Sequence, residues 1–101
     1  MVFTIKFNEE KNQLLKATRN ISFEDVLIYI KEKKTLDNIT HPSKKHPHQR
    51  LYVIQIKEYI YAVPYIINVE KQEIFLKTIY PSRILMKLYR KGGKNEKAKE
   101  Q

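Results

Sequence analysis

The stretch that decides the fold is LYVIQIKEYIYAVPYII, which occupies residues 51–67. β-Branched and aromatic residues dominate both of its halves, and this composition predicts two antiparallel strands, 51–57 and 59–67, joined by a tight turn. Pro64 has no backbone N–H to donate to a neighbouring strand, so a bulge or a sheet edge is expected at that position. The sequence is thus organised around a β-hairpin.

Helices and further strands are predicted on both sides of this hairpin. Because the strands come in a run rather than alternating strictly with helices, the pattern is typical of an α+β protein with a mostly antiparallel sheet. Two N-terminal helices are expected to pack against that sheet. Before the hairpin, the sequence predicts a strand over 1–7, a short helix after Asn8 that ends near 18–20, and a helix over 23–33. After the hairpin it predicts a strand over 73–80, which is apolar on both faces and therefore expected to be central. A basic helix is then expected to begin at Pro81 and to bury Ile84, Leu85 and Leu88.

The second helix has the clearest start signal. Ser22 stands three residues before Asp25, which is the spacing of a capping box. Ile21 precedes the cap and can pack on Val26 as a hydrophobic staple. An apolar stripe at helical spacing follows the cap, so this segment is expected to bury one face.

Residues 34–50 break every periodicity and are predicted to form one long loop. The loop contains two prolines, several cations and all three histidines, His41, His46 and His48. Long ordered loops in small domains often carry function. Three histidines among cations and prolines, with no carboxylate between them, are a poor zinc site, so no metal and no cofactor are expected.

Composition limits the function classes. A chain of 101 residues is one domain, predicted here over 1–91 with a disordered polar tail over 92–101. The absence of cysteine excludes a disulfide scaffold and a thiolate nucleophile, and two glycines are too few for a glycine-rich phosphate loop. No apolar run is long enough to cross a membrane and the N-terminus lacks the order of a signal peptide, so a cytoplasmic protein without membrane partners is expected.

Charge is distributed unevenly along the chain. The net charge is +9, and residues 1–40 carry only +1 of it, from seven basic and six acidic residues. Residues 41–101 carry +8, from thirteen basic and five acidic residues. A strongly basic second part favours a surface that binds a polyanion such as RNA, although solubility alone is the alternative explanation.

Four segments resemble BrnT-like toxins, a branch of the RelE superfamily of bacterial toxin–antitoxin ribonucleases. They are IKFNEEKN at 5–12, ISFEDV at 21–26, LYVIQIKEYIYAVPY at 51–65 and FLKTIYPSRILMKLY at 75–89. Many BrnT-like proteins carry an Ile-Ser-Ala-Arg-like stretch after the last strand, where this chain has Ile79-Tyr80-Pro81-Ser82 and an arginine one place later. The resemblance implies a RelE-like fold and a toxin that cleaves RNA, inhibits translation and is neutralised by a cognate antitoxin.

Metal-free RNA cleavage requires a base, an acid and cations. The base takes the proton of a ribose 2′-hydroxyl, which attacks the adjacent phosphorus and leaves a 2′,3′-cyclic phosphate, while cations stabilise the negative charge of the transition state. Histidines suit both proton-transfer roles. A lysine in a central strand must reach an edge or line a cavity, where it would grip phosphate. The catalytic candidates are His46, His48, Lys77, Tyr80 and Arg83.

Further cations and one aromatic residue are candidates for RNA binding. Bases of single-stranded RNA stack on aromatic rings beside cations. Tyrosine stripes more often pack across strands, and this packing is the expectation for Tyr59. For Tyr61 both RNA stacking and packing across strands stay open. The RNA-binding candidates are Lys44, Lys45, Arg50, Tyr61, Lys87 and Arg90. The rival functions are a non-catalytic nucleic-acid-binding protein of the same fold and a basic protein-interaction module.

Overall fold

The computed structural model describes residues 3–42, 44–45 and 48–90. Of Arg90 it describes only the backbone. The elements are β1 (Thr4–Phe7), α1 (Glu9–Arg19), α2 (Phe23–Lys31), β2 (Asp37–Thr40), β3 (Arg50–Ile56), β4 (Tyr59–Asn68), β5 (Glu73–Leu76), β6 (Tyr80–Pro81), α3 (Arg83–Leu85) and a π-helical turn (Met86–Arg90). We call α3 and the π-helical turn together the C-terminal helix. Within the described residues, no helix is long and apolar enough to cross a membrane.

The six strands form one mixed sheet. Five of them follow the order β1-β5-β4-β3-β2, and the sixth, β6, pairs with a part of β4 that β5 does not reach. Four of the pairings are antiparallel, and β1 runs parallel to β5. The α+β class is confirmed. The central position of β5 is also as predicted, since it lies between β1 and β4.

Helices cover both faces of the sheet. On the first face, which we call the α1–α2 face, Leu15, Phe23 and Val26 pack with the strand residues Ile54 and Val63. On the opposite face, Leu85 of the C-terminal helix packs with a second set of buried strand residues, Leu51, Val53, Ile60 and Ala62. The alternation of side chains along β3 and β4 produces these two cores, because successive residues of a strand point to opposite faces.

Three predicted elements differ from the structure. Residues 34–50 are not one loop, because β2 forms inside them and pairs with β3. The predicted strand 73–80 ends at Leu76. The last helix does not begin at Pro81, which lies in β6, but after Ser82, whose hydroxyl accepts a hydrogen bond from the Leu85 backbone N–H at 3.2 Å.

The buried stripe of the C-terminal helix is also different from the prediction. Ile84 is 72% exposed and Leu88 is 62% exposed, whereas Leu85, Met86 and Tyr89 pack on the sheet. A π-helical turn has more residues per turn than an α-helix, so Tyr89 rather than Leu88 returns to the sheet side. The Tyr89 hydroxyl then donates to Asp37 of β2 at 2.8 Å, which ties the helix end to the sheet edge.

A buried asparagine joins the two N-terminal helices. The predicted capping box at Ser22 and Asp25 is present. Asn12 of α1 is fully buried, its Oδ1 accepts from the Phe23 backbone N–H at 2.7 Å, and its Nδ2 donates to both carboxylate oxygens of Glu24 at 3.0 and 3.1 Å. The Asn12 side chain of α1 thus supplies hydrogen-bond partners to the first turn of α2 and fixes the angle between the two helices.

We expect Asn12→Asp to destabilise the protein more than Asn12→Ala. Alanine leaves the buried Phe23 N–H without its acceptor, at a cost of about 1–3 kcal/mol. Aspartate keeps an acceptor but replaces the donor to Glu24 with a second carboxylate, which adds charge repulsion. Urea unfolding at pH 7 measures both. At pH 3, where carboxyls are protonated, the gap between the two variants should narrow, and a gap independent of pH would contradict this account.

Stability at alkaline pH should depend on Tyr52. This residue is 8% exposed and its ring stacks on that of Tyr65 with centroids 4.2 Å apart. Burial, followed by the neighbouring Tyr65, raises the pKa of Tyr52 to about 12. Because an unfolded tyrosine titrates near pH 10, the stabilising effect of the buried neutral phenol is complete below pH 10 and is lost as pH rises toward 12.

Between those pH values the free energy of unfolding should fall by about 2–3 kcal/mol through this group. Urea unfolding of the wild type and of Tyr52→Phe at pH 8, 10 and 11.5 measures the effect. The variant, which has no phenol to ionise, should lose less stability over this range, and equal losses would disprove the assignment to Tyr52.

Candidate functional site

The site begins with a break in the ladder between β4 and its neighbours. The Lys77 backbone N–H donates to the Pro64 carbonyl at 2.8 Å, but Pro64 has no N–H with which to return a bond, and β5 ends at Leu76. Pairing with β4 resumes at β6, where Tyr80 lies opposite Ala62 and unbroken register would require residue 79. The chain therefore carries one extra residue, and the bulge predicted from Pro64 is confirmed.

Arg19, the last residue of α1, stabilises this bulge. Its Nη1 donates to the carbonyl of Ile79 at 2.6 Å. Ile79 itself is fully buried in the core of the α1–α2 face. A carbonyl that leaves the ladder at a bulge needs another donor, and the guanidinium supplies it.

The bulge lies beside a shallow pocket of about 480 Å³, which we call the basic pocket. It is lined by Lys11, His41, Gln49, Pro64, Lys77, Thr78 and Tyr80. These residues come from α1, from the ends of β2 and β3, and from the bulge, so they are distant in sequence and meet only in the fold. The backbone N–H of His41 donates to the carbonyl of Gln49 at 3.0 Å, which closes the loop between β2 and β3.

The two lysines of the basic pocket carry its charge. Among the described residues, the ion pairs within 4 Å involve Lys6, Lys16 and Lys34, and neither Lys11 nor Lys77 is paired with a carboxylate. Two ammonium groups that share a pocket repel each other and attract an anion. A phosphate is one anion that two such ammonium groups can bind.

Tyr80 supplies a hydroxyl to the same pocket. It is half-buried, and burial raises the pKa of its phenol. A phenol with a raised pKa keeps its proton at neutral pH, so it can donate a hydrogen bond, and it gives up the proton only to a strongly basic group such as a leaving alkoxide. Within the pocket, the imidazole of His41 is the side chain suited to accept a proton near neutral pH.

The structure brings together only some of the residues predicted from sequence. Lys77 and Tyr80 line the basic pocket, and Lys77 lies one residue beyond β5 rather than inside it. Lys44, Lys45 and His48 are exposed in the loop between β2 and β3. His46 lies outside the described residues.

Arg50 has a structural role in the sheet. Its Nε donates to Asn38 Oδ1 at 3.0 Å and its Nη2 donates to the Asn38 carbonyl at 2.9 Å. The Tyr65 hydroxyl donates to the same Oδ1 at 2.7 Å. These bonds hold the edge strand β2 to β3 and use two of the five N–H donors of the guanidinium. The predicted binding of RNA by Arg50 stays a prediction.

The other predicted cations lie outside the lining of the basic pocket. Arg83 and Lys87 are exposed on the C-terminal helix, and the side chain of Arg90 is not described. Tyr61 lines a second pocket, of about 550 Å³, together with Tyr29 and Tyr59 on the α1–α2 face. Its ring lies 6.2 Å from that of Tyr59 between centroids, and this contact runs along β4 and not across strands.

Sequence reasoning did not select Lys11, Gln49 and Arg19. The sequence indicates only that Lys11 is a solvated residue in the first turn of α1, and the fold places it in the same pocket as Lys77. His41 is one of the three histidines of the predicted loop, but nothing in the spacing of the three singles it out. Within the described part of the chain, no group of three His, Cys, Asp or Glu side chains is close enough to hold a metal ion.

Comparisons with known proteins add no identification. No protein-family model, curated protein or solved structure matches this chain. The resemblance to BrnT-like toxins stays a prediction from the sequence, and the basic pocket must be interpreted from its own chemistry.

We expect Arg19→Met to lower the free energy of unfolding by about 1.5–3 kcal/mol, because the Ile79 carbonyl loses a charged donor. Lys16→Met is the matched control, since Lys16 also lies near the end of α1 and forms only an exposed pair with Glu24 at 3.6 Å. The control should change stability by less than about 1 kcal/mol. Urea unfolding of the three proteins gives the comparison, and equal losses in both variants would refute the role of the bulge contact.

Proposed function

We propose that this protein is a metal-independent endoribonuclease, the toxin of a type II toxin–antitoxin system with a RelE-like fold of the BrnT-like kind. The observation that carries the proposal is the basic pocket, in which two lysines, a histidine and a tyrosine that keeps its proton meet beside the bulge. The net charge of +9 and the sequence resemblance support the same reading.

In this proposal the scissile phosphate lies between Lys11 and Lys77. His41 takes the proton of the ribose 2′-hydroxyl, whose oxygen then forms a bond to phosphorus. The P–O5′ bond breaks, and Tyr80 donates a proton to the leaving oxygen. The products are a 2′,3′-cyclic phosphate and a 5′-hydroxyl, and the lysines stabilise the extra negative charge of the transition state.

The histidine assignment changes from His46 and His48 to His41. His41 lines the pocket that holds Lys77 and Tyr80, whereas His48 is exposed. His46 lies outside the described residues, and its catalytic role stays a prediction. The cations Lys44, Lys45, Arg83, Lys87 and Arg90 are proposed to contact RNA away from the scissile bond. A cognate antitoxin would inhibit the enzyme by covering the pocket with an acidic or amphipathic segment.

A non-catalytic RNA-binding protein is the second candidate. The described part of the basic pocket contains a single histidine, and Gln49 beside it cannot transfer a proton. Such a protein would use Lys11 and Lys77 to hold phosphate and would leave RNA intact.

The test is incubation of the purified protein with a defined RNA in excess EDTA, at two salt concentrations, with end-group analysis. We expect cleavage that leaves a 2′,3′-cyclic phosphate. His41→Gln should lower the cleavage rate at least ~100-fold with little change in binding. Lys77→Ala should weaken both binding and cleavage, and the loss should be larger at low salt. Lys31→Ala, which removes an exposed lysine of α2, is the matched control.

The outcomes separate the candidates. RNA that is bound but intact, both in buffer and in a translation extract, would favour the binding protein. Cleavage only in the extract would identify a ribosome-dependent enzyme. Absence of RNA affinity even at low salt would overturn both candidates and favour a basic protein-interaction module, because phosphate contacts are strongest at low salt.

A further inference from the structure

Phe75 is a large aromatic side chain that is exposed in the middle of the sheet. It belongs to β5, an interior strand, and it lies between Lys6 of β1 and Ile66 of β4. Its sequence neighbours Ile74 and Leu76 pack on the α1–α2 face, so Phe75 points to the opposite face, where it is 38% exposed.

The C-terminal helix covers a different part of that face. Leu85 packs on Leu51 and Val53 of β3 and on Ile60 and Ala62 of β4. An aromatic ring on an interior strand usually lies under such a helix, because burying it stabilises the fold. Here Phe75 lies outside the core that the C-terminal helix covers, and it stays 38% exposed.

A further pocket of about 410 Å³ adjoins the ring. It is lined by Asn8, Glu10, Lys11, Leu14, Phe75 and Lys77, so it shares both of its lysines with the basic pocket. The ammonium of Lys77 lies over the Phe75 ring at 5.7 Å from its centroid, so a base that stacks on that face must displace the ammonium toward the phosphate. The group suited to hold a phosphate is therefore the immediate neighbour of an exposed aromatic ring.

We propose that Phe75 is the platform on which a base of single-stranded RNA stacks, in the nucleotide whose phosphate is bound by Lys11 and Lys77. The inference rests on the proposed function for the phosphate and adds the base-binding subsite. A nucleotide carries a charged phosphate and a flat aromatic base on one ribose, so it can bind both features at once. Stacking on aromatic rings beside cations is how proteins bind unpaired bases.

The ring and the Glu10 carboxylate, and not the lysines, distinguish RNA from an acidic protein segment. Phosphates and peptide carboxylates both pair with the lysines, but a base can also stack on the ring. Glu10, which lines the same pocket, can accept hydrogen bonds from the exocyclic amino groups of bases, and an acidic side chain has no such donor to offer. Lys6, the nearest cation of β1, is already paired with Glu73 at 2.9 Å.

The experiment uses Phe75→Trp as a reporter, because the chain has no tryptophan of its own. Ile28→Trp is the matched control, since Ile28 is a 53% exposed apolar residue of α2, in the layer that covers the other face of the sheet. The fluorescence of each variant is titrated with a 2′-O-methyl oligoadenylate, which cannot be cleaved, with polyphosphate and with poly-glutamate. Base stacking on an indole quenches its fluorescence, whereas phosphate alone does not stack.

We expect the oligoadenylate to quench Phe75→Trp but not Ile28→Trp, and polyphosphate to bind without quenching either variant. As a second variant, Phe75→Leu keeps an apolar side chain without the ring. It should bind the oligoadenylate about tenfold more weakly than the wild type, with unchanged affinity for polyphosphate.

The inference fails if the oligoadenylate binds without quenching and without loss of affinity in Phe75→Leu, a result that leaves the proposed ribonuclease intact. It also fails if poly-glutamate quenches as strongly as the oligoadenylate, because the ring would then belong to a protein interface. Specific quenching together with intact RNA in the cleavage assay would support the base subsite and count against the ribonuclease.

Discussion

The missing N–H of Pro64 is the constraint on which the arrangement of this molecule depends. A residue with an N–H at that position could return the bond from Lys77 and extend the ladder past Leu76. With proline there, the β4–β5 ladder stops after Leu76. The segment between β5 and β6 contains one extra residue, so β6 pairs with β4 in a register shifted by one. The segment that follows β5 thus lines a pocket instead of continuing a strand. The C-terminal helix starts from the same shift, because the Ser82 backbone N–H donates to the carbonyl of Ile60 of β4 at 3.1 Å.

Helix α1 is fixed at both of its ends relative to that bulge. Near its start, Asn12 bonds to the first turn of α2, and at its end Arg19 bonds to the Ile79 carbonyl. Lys11 directly precedes Asn12 and is placed by the same contacts. The buried framework therefore sets where the backbones of Lys11 and Lys77 lie, and their flexible side chains carry the two ammonium groups to the pocket. An anion that binds there must still order both side chains.

The sequence was most informative where the signal is local. The capping box at Ser22 and the missing donor of Pro64 are properties of a few adjacent residues, and both appear in the structure as predicted. Strand β2 has no such signal, because its residues Asp37–Thr40 are mostly exposed at a sheet edge and are held by pairing with β3 and by Arg50. The C-terminal helix was placed by α-helical period, and the π-helical turn changes that period without any mark in the sequence.

The residues of the candidate site likewise fall into those that the sequence could indicate and those that only the fold brings together. Lys77 and Tyr80 could be selected because they stand beside a strand end in a basic region. Lys11 could not, since its role depends on a contact across more than sixty residues of chain. Arg50 shows a role that the sequence did not indicate: its guanidinium holds β2 in place, and its contact with RNA stays a prediction. An uneven charge along a sequence favours a polyanionic partner, but only the fold decides which cations lie together.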